Sequence, residues 1–213
     1  FIEDKILKTF NYVDPGTTVP SQPRFAKPEK KSYPYPLGKN EDPKKKCQVS
    51  LSWLLADIKD NYKVLALTLL EQILLGNPAS PLRKALIESK IGTALSDQTG
   101  FDANNRDTMF ACGLKDVADS DAERIETIIL DVLHHLVENG IDSELVESAI
   151  HQLEFYRKEV TNTPYPYGIK LLLAFSGSWF HGGDPVKPLQ FETDLKRLRQ
   201  ALLKGPFFET LIE

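Results

Sequence analysis

The sequence predicts an α+β fold in which a mainly antiparallel sheet is covered on one face by helices. Apolar and polar residues alternate over 47–55, and this alternation is typical of a half-buried strand. Two further predicted strands, at 91–100 and 108–115, are joined by a polar turn at 102–106. Helical periodicity dominates the rest of the chain, and strands that come early and helices that come late favour an α+β sandwich.

Each helix is predicted from its apolar periodicity and from the residues at its ends. Ser80 and Pro81 mark one start, since serine caps helices and proline suits the first helical position. Gly76 and Asn139-Gly140 mark two ends. The predicted helices are 62–75, 81–89, 121–138, 143–161, 169–180 and 184–204, with a final short helix from residue 206.

Residues 1–46 differ in composition from the rest of the chain. They hold 7 of the 14 prolines and carry a net charge of +4, which leaves −8 for 47–213. Because proline fixes φ and lacks an N–H donor, this density excludes a long helix or a central strand. We therefore expect an interdomain connector at 1–46, containing the end of a preceding helix at 1–10 and a solvated basic lead-in at 44–46, and one domain at 47–213.

Composition limits the classes of function. The chain has 213 residues, a net charge of −4 and a mean hydropathy of −0.28, and it starts without methionine and stops within an apolar stretch. We expect it to be a piece of a longer protein. No apolar run approaches the roughly 20 residues that span a bilayer, and the mild acidity argues against nucleic acid as the partner. Two cysteines 65 positions apart indicate a reducing compartment, the cytoplasm or an organelle matrix.

The residues alone predict no catalytic site. His135-Leu-Val-Glu138-Asn139 is similar to an inverted zinc motif, but asparagine replaces the second histidine, so we interpret it as a polar face near a helix end. Cys112 is predicted to be a buried structural thiol. The remaining candidates are interpreted as a solvated face (Glu144 and Glu147), small packing residues (176–178), a helix-surface histidine (His151) and a helix-end histidine (His181).

One segment nevertheless resembles a known family. The stretch from Leu70 to Gly92, together with Gly113-Leu-Lys-Asp116, Asn139-Gly-Ile-Asp142 and Trp179-Phe-His-Gly-Gly-Asp-Pro185, resembles the second domain of presequence-protease-like enzymes of the M16 (insulinase, pitrilysin) metallopeptidase family. The resemblance implies that this domain is a sibling, without metal, of the catalytic domain. It also implies a sandwich of antiparallel sheet and helices, and a larger enzyme whose domains close around a chamber.

The resemblance identifies a degenerate zinc motif. The family's H-x-x-E-H corresponds here to Thr68-Leu-Leu-Glu71-Gln72, so the glutamate is kept and both histidines are replaced. The family's third ligand is a glutamate some seventy-odd residues later, a region that contains Glu144 and Glu147. Because zinc prefers imidazole, thiolate and carboxylate, we expect no metal and no hydrolysis in this chain, and zinc only in the parent enzyme.

A substrate-binding stretch is also implied. In related insulin-degrading enzymes a strand of this domain pairs with the substrate, and the matching residues here are Ala94, Leu95, Ser96 and Asp97. The expected partners are thus the catalytic domain of the same chain and peptide substrates.

Two alternatives stay open at this point. One is a stand-alone structural or adaptor protein with the same fold and no peptidase activity. The other is an independent metalloenzyme that uses His134 and His135.

Overall fold

The computed structural model of the chain describes residues 1–14, 16, 18–161 and 164–213. Pro15 and Thr17 of the predicted connector, and Asn162 and Thr163 of the predicted domain, lie outside the described residues. The strands are β1 (Cys47–Asp57), β2 (Ala94–Leu95), β3 (Gly100–Asp102) and β4 (Asp107–Val117). The helices are α1 (Ile2–Lys5), α2 (Asn61–Leu75), α3 (Pro81–Glu88), α4 (Ala122–Asn139), α5 (Ser143–Lys158), α6 (Tyr167–Phe180), α7 (Phe191–Leu202) and α8 (Phe207–Ile212).

The strands form an antiparallel sheet around β4. On one side β4 pairs with β1, in a register that sets Ser52 opposite Ala111. On the other side β4 pairs with β2 and with β3, so β2 lies at an edge of the sheet. This arrangement confirms the predicted α+β class and the antiparallel sheet.

One face of the sheet is covered by helices and the other is not. Because side chains alternate along a strand, Val49, Leu51 and Trp53 of β1 point to the same face, where they pack against the core. Their neighbours Ser50 and Ser52 are exposed on the opposite face. The face opposite the helices therefore combines exposed serines on β1 with the fully buried Ala111, the partner of Ser52 on β4.

The core lies between this sheet and the helices. Cys112 of β4 is fully buried in the core, and burial raises the pKa of its thiol to about 12. This burial confirms the prediction of a buried structural thiol.

Helix α2 is the central helix of the core. Asp60 accepts a hydrogen bond from the backbone N–H of Lys63 (3.1 Å) and so caps its first turn. Eight of its fifteen residues are buried. The predicted bounds of this helix are confirmed to within one residue.

Ser80 precedes α3 as predicted, but its hydroxyl does not cap that helix. The hydroxyl instead accepts a hydrogen bond from the backbone N–H of Asn77 (3.1 Å), because the Asn77–Ser80 turn folds back on itself. Pro81 occupies the first helical position, where its missing N–H has no cost.

Two predicted elements are wrong in extent. The strand expected at 91–100 is two short strands, because Thr99 donates its N–H to the carbonyl of Ser96 (3.0 Å) and a turn separates β2 from β3. The helix expected at 184–204 begins only at Phe191. Pro188 lies in a short 3-10 segment at 187–189, since proline cannot donate the hydrogen bond that a continuous helix requires.

The N-terminal segment lies along the domain surface. Its described residues up to 45 are exposed, with a single α-helical turn at α1, a 3-10 turn at 7–9 and another at 43–45 immediately before β1. Asp107 accepts the backbone N–H of Gln22 (2.8 Å) and pairs with Arg24 (3.4 Å), and Lys30 pairs with Glu126 of α4 (2.6 Å). Its role as an interdomain connector stays a prediction.

Candidate functional site

The degenerate motif on α2 lines a large cavity. Thr68, Glu71 and Gln72 occupy positions i, i+3 and i+4, so they share one face of the helix. That face borders an open cavity of about 700 Å³, which is also lined by residues of α5, α6 and α7 and of the turn between β3 and β4. The structure therefore brings together the three residues that the sequence singled out.

Glu71 connects α2 to the sheet. Its carboxylate accepts the backbone N–H of Phe101 in β3. Burial raises the pKa of Glu71, and the Phe101 hydrogen bond opposes this effect only in part. Gly100, with φ of 138°, leaves room for the carboxylate, since a Cβ there would lie 3.1 Å from Oε1 of Glu71.

Thr68 and Gln72 already have hydrogen-bond partners. The Thr68 hydroxyl donates to the carbonyl of Val64 (2.8 Å), one turn earlier in the same helix. The Gln72 side-chain amide donates to Oε1 of Gln152 on α5 (2.6 Å). The Gln72–Gln152 bond links α2 to α5 beside the cavity.

Gln152, rather than Glu144 or Glu147, is the α5 residue that meets the motif. Glu144 is exposed at the start of α5, and Glu147 pairs with Arg199 of α7 (3.2 Å). Neither of these glutamates lines the cavity. Sequence reasoning missed Gln152, although it follows the buried Ala149 by three residues and so lies on the same side of the helix.

This donor set does not fit zinc. One carboxylate, two side-chain amides and a hydroxyl replace the imidazoles and carboxylates that hold the ion in proteins. Within the described ranges, no three or more His, Cys, Asp or Glu side chains are grouped so that they could hold a metal ion.

The histidines lie away from the cavity. His134 pairs with Glu138 one turn later on α4 (3.2 Å), and His135 is exposed on the same helix. Asn139 donates its side-chain amide to the carbonyl of His135 (3.1 Å). These contacts agree with a polar face near a helix end. His181 follows the last residue of α6, where its N–H bonds to the carbonyl of Ser178 (3.2 Å).

The stretch implied to bind substrate is half strand and half turn. Ala94 and Leu95 form β2, and the Ser96 N–H donates to the Gly113 carbonyl of β4 (2.9 Å). Asp97 turns away and pairs with Lys115 (2.8 Å), and this hydrogen bond lowers the pKa of its carboxyl. Because backbone groups in an antiparallel pair alternate in direction, Leu95 points its N–H away from β4.

Comparisons with known proteins agree with this geometry. Residues 2–153 match the family model described as the Peptidase M16 inactive domain, and this range includes most of the segment at 1–46.

The described residues contain no helix with the length and apolar character that crossing a membrane demands.

Two relatives illustrate the match. A mitochondrial presequence protease of Xenopus tropicalis is 34% identical over 210 residues, which are 97% of this chain and 20% of that protein. Protein HypA of Clostridium perfringens is 34% identical over 213 residues, which are 100% of this chain and 22% of that protein. The chain thus spans about a fifth of the length of these relatives.

A solved structure supports the fold. A Bordetella pertussis Tohama I protein, provisionally described as a zinc protease, aligns with a TM-score of 0.50 and 21% identity over 70% of this chain and 78% of that one. With the family match over residues 2–153, the degenerate motif and the antiparallel sandwich, the chain belongs to the inactive-domain family of the M16 peptidases.

Proposed function

We propose that the chain is the non-catalytic domain of a longer zinc-dependent peptidase that degrades unstructured peptides. The observation that carries the proposal is that Thr68 and Gln72 stand in place of the motif's histidines beside a retained Glu71, and that the neighbouring α5 side chain is the neutral Gln152. The names of the relatives and the fraction of their length that the chain spans support a parent enzyme of this kind. In the parent, zinc-bound water and a general base of another domain would supply the hydrolysis.

The two surfaces of the domain suit two structural roles. Helix α6 exposes Leu173, Trp179 and Phe180 by half or more of their surface, and such an apolar surface favours packing against the catalytic domain of the same chain. The face of the sheet opposite the helices carries the exposed Ser50 and Ser52 and would form one wall of a substrate chamber.

The edge strand β2 would anchor the peptide. An incoming extended peptide can add to a sheet edge through main-chain hydrogen bonds, which tolerate many side chains. Leu95 directs its backbone N–H to this edge, while Ser96 holds the strand to β4. The four residues of this stretch therefore have two roles in the proposed anchor. Ala94 and Leu95 form it, and Ser96 and Asp97 hold it in place.

The decisive comparison is between Leu95→Pro and Leu95→Ala. Both remove the leucine side chain, but only proline also removes the N–H that a bound strand would use. We expect a labelled unstructured peptide to bind the chain and the alanine variant, and to lose affinity for the proline variant in fluorescence anisotropy. Equal binding by both variants would contradict the anchor.

The compartment and the remaining partners are part of the same proposal. We expect the parent enzyme to act in the cytoplasm of a bacterium or in the matrix of an organelle, and to bind neither nucleic acid nor membrane. The net charge of −4 supports this expectation, since nucleic acids and anionic lipid surfaces attract basic proteins.

A further inference from the structure

The sheet has a second edge, at β1. Strand β1 pairs with β4 on one side and with no described strand on the other. The Ser96 N–H bonds to the Gly113 carbonyl, so Gly113 directs its backbone groups toward β2. Backbone groups alternate in direction along an antiparallel strand. Ser50 lies opposite Gly113, and it therefore directs its N–H and C=O away from β4, as Ser52 does two residues later.

The features that usually protect a sheet edge are missing from β1. Proteins blunt an exposed edge with prolines, with charged side chains or with very short strands. Strand β1 has eleven residues, and the stretch 47–56 contains neither a proline nor a charged residue. Within the described part of the chain, no group forms a hydrogen bond with the outward N–H and C=O of Ser50 and Ser52. The centre of this edge can therefore pair with another strand.

The N-terminal segment contacts the edge only near its two ends. Arg24 donates to the carbonyl of Leu55, near the end of β1. Tyr35 donates to the carbonyl of Lys46, immediately before β1 begins. Both contacts use side chains, and no backbone hydrogen bond joins the described residues of 24–35 to β1. Lys30 pairs with a carboxylate of α4 (2.6 Å), which places the middle of the segment at the helices and leaves the centre of the edge unpaired.

The residues beside this edge are strongly basic. The stretch 24–46 carries eight lysines and arginines against three acidic residues. The acidic residues are already engaged, by Lys31, by Lys46 and by a backbone N–H. The lysines of this stretch that have no acidic partner among the described residues are Lys27, Lys39, Lys44 and Lys45. A second copy of the chain would bring the same charge to the edge and be repelled, whereas an acidic partner is attracted.

We propose that the β1 edge binds an extended peptide segment with acidic residues, which adds to the sheet as an antiparallel strand beside Ser50 and Ser52. Main-chain hydrogen bonds supply the pairing, as in other cases of strand addition. Because an antiparallel partner runs opposite to β1, its C-terminal half lies near Lys44 and Lys45 and carries the acidic side chains. Strand β4 separates this edge from β2, so the proposal holds whether or not β2 anchors a peptide.

The test uses three octapeptides with a labelled N-terminus and an amidated C-terminus. Each contains alternating threonine and valine and two charged residues. The first ends in two glutamates, the second begins with them, and the third ends in two lysines. Fluorescence anisotropy with the 213-residue chain at low ionic strength should show that the first peptide binds about fivefold or more tighter than the second, and that the lysine peptide binds most weakly. Equal affinity for the two acidic peptides, or an acidic peptide that binds no better than the lysine peptide, would overturn the proposal.

Ser52→Pro and Ser52→Ala locate the binding edge. Both remove the hydroxyl, but only proline also removes the N–H that points to the edge, a position at which a strand tolerates proline. We expect Ser52→Ala to bind the first peptide as the unsubstituted chain does, and Ser52→Pro to bind it about tenfold more weakly. Circular dichroism establishes that each variant is folded. Unchanged affinity in folded Ser52→Pro would contradict the assignment.

A charge variant tests the basic end of the edge without altering the strand. The double substitution Lys44→Ala and Lys45→Ala should abolish the preference for the first acidic peptide over the second. The matched control is Lys196→Ala with Lys204→Ala, which removes two exposed positive charges in and just after α7. A preference that survives the first double substitution, or that the control loses equally, would contradict the proposal.

Two further arms separate this edge from the β2 edge and peptides from other polyanions. Leu95→Pro should leave the affinity for the first peptide unchanged, and a loss with this variant would assign the peptide to β2 and overturn the proposal. A single-stranded oligonucleotide of matched charge should bind more weakly than the peptide, because it has no peptide backbone to pair with β1. Binding of the oligonucleotide as tight as that of the peptide would overturn the proposal in favour of a general polyanion site.

Discussion

Helices α2 and α6 are both strongly apolar in sequence, yet they have opposite surroundings. Helix α2 buries eight of its fifteen residues between the sheet and the other helices. Helix α6, all of whose residues the structure describes, buries only Ser178 and exposes Phe180 by 77%. Apolar composition therefore indicates that a helix needs an apolar neighbour, but it does not say whether that neighbour lies within the same domain.

The two helices also differ in how they approach their neighbours. Ile73 and Leu69 of α2 are fully buried against other core side chains. Gly177 of α6 packs close to Ile58, since a Cβ at this position would lie 2.9 Å from the Ile58 Cδ1 atom. Helix α6 thus combines close packing at Gly177 with exposed Leu173, Trp179 and Phe180.

The largest expected effect comes from truncating α2. Ile73→Ala leaves a void in a fully buried site and should lower the free energy of unfolding by about 2–5 kcal/mol. Leu173→Ala is the matched control on α6, where the side chain is 58% exposed and the loss should be far smaller. Urea unfolding measures both. Equal losses would show that α6 is packed as tightly as α2.

The second prediction restores metal ligands on α2. The triple substitution Thr68→His, Gln72→His and Gln152→Glu supplies two imidazoles and a carboxylate at positions that the structure brings together. We expect zinc binding and a gain of about 2.7 kcal/mol in unfolding free energy at a zinc concentration 100-fold above Kd.

The control variant keeps the two new histidines but leaves Gln152 unchanged. Its glutamate is introduced instead by Gln48→Glu on β1, outside the cavity. It should bind zinc more weakly, because the third ligand is then missing. Zinc bound by the unsubstituted chain, measured by calorimetry, would contradict the interpretation of Thr68, Glu71 and Gln72 as a degenerate site.

The third prediction concerns the buried carboxyl of α2. Because burial raises the folded-state pKa of Glu71, the folded chain favours its protonated form. The free energy of unfolding should therefore fall as pH rises from the ordinary glutamate value of about 4.3 through the raised value. Glu71→Gln removes this dependence, so the variant should be more stable than the parent at pH 7 and equal to it at pH 3. If the unfolding free energies of the variant and the parent differ by the same amount at both pH values, the cause would be lost packing instead.

The smallest effect is expected on α6 itself. Leu173→Lys should change the unfolding free energy of this chain by no more than about 0.5 kcal/mol, since the side chain is largely exposed. In a longer chain that covers α6, the same substitution would bury an unpaired charge and lower stability much more. Thermal unfolding of the two forms tests this, and equal small effects in both would contradict the proposed contact with a catalytic domain.

The sequence predicted α2 well because its signals agree with one another. Its apolar periodicity and the glycine after its last turn predict the same bounds, and the Asp60 cap that the structure shows agrees with them. The strand expected at 91–100 was too long because the polar run at 96–99 forms a turn, to which the hydrogen bond between the hydroxyls of Ser96 and Thr99 (2.8 Å) contributes. Such local bonds between hydroxyls have no periodicity that a sequence pattern could show.

The candidate site was predictable only along one helix. Thr68, Glu71 and Gln72 are close in sequence, so helical spacing alone places them on one face. Gln152 and Arg157 reach the cavity from α5, and their proximity depends on how α5 packs on α2. Spacing within a segment cannot reveal a contact between residues that are 80 positions apart in the chain.

The bond between Gln72 and Gln152 joins two groups that carry no charge at any ordinary pH. Chelators, moderate acid and added salt act on ions, so none of them weakens this bond directly. The link between α2 and α5 at this point therefore does not depend on a metal ion. In the proposed parent enzyme, this domain would therefore keep its α2–α5 contact whether or not the catalytic domain holds zinc.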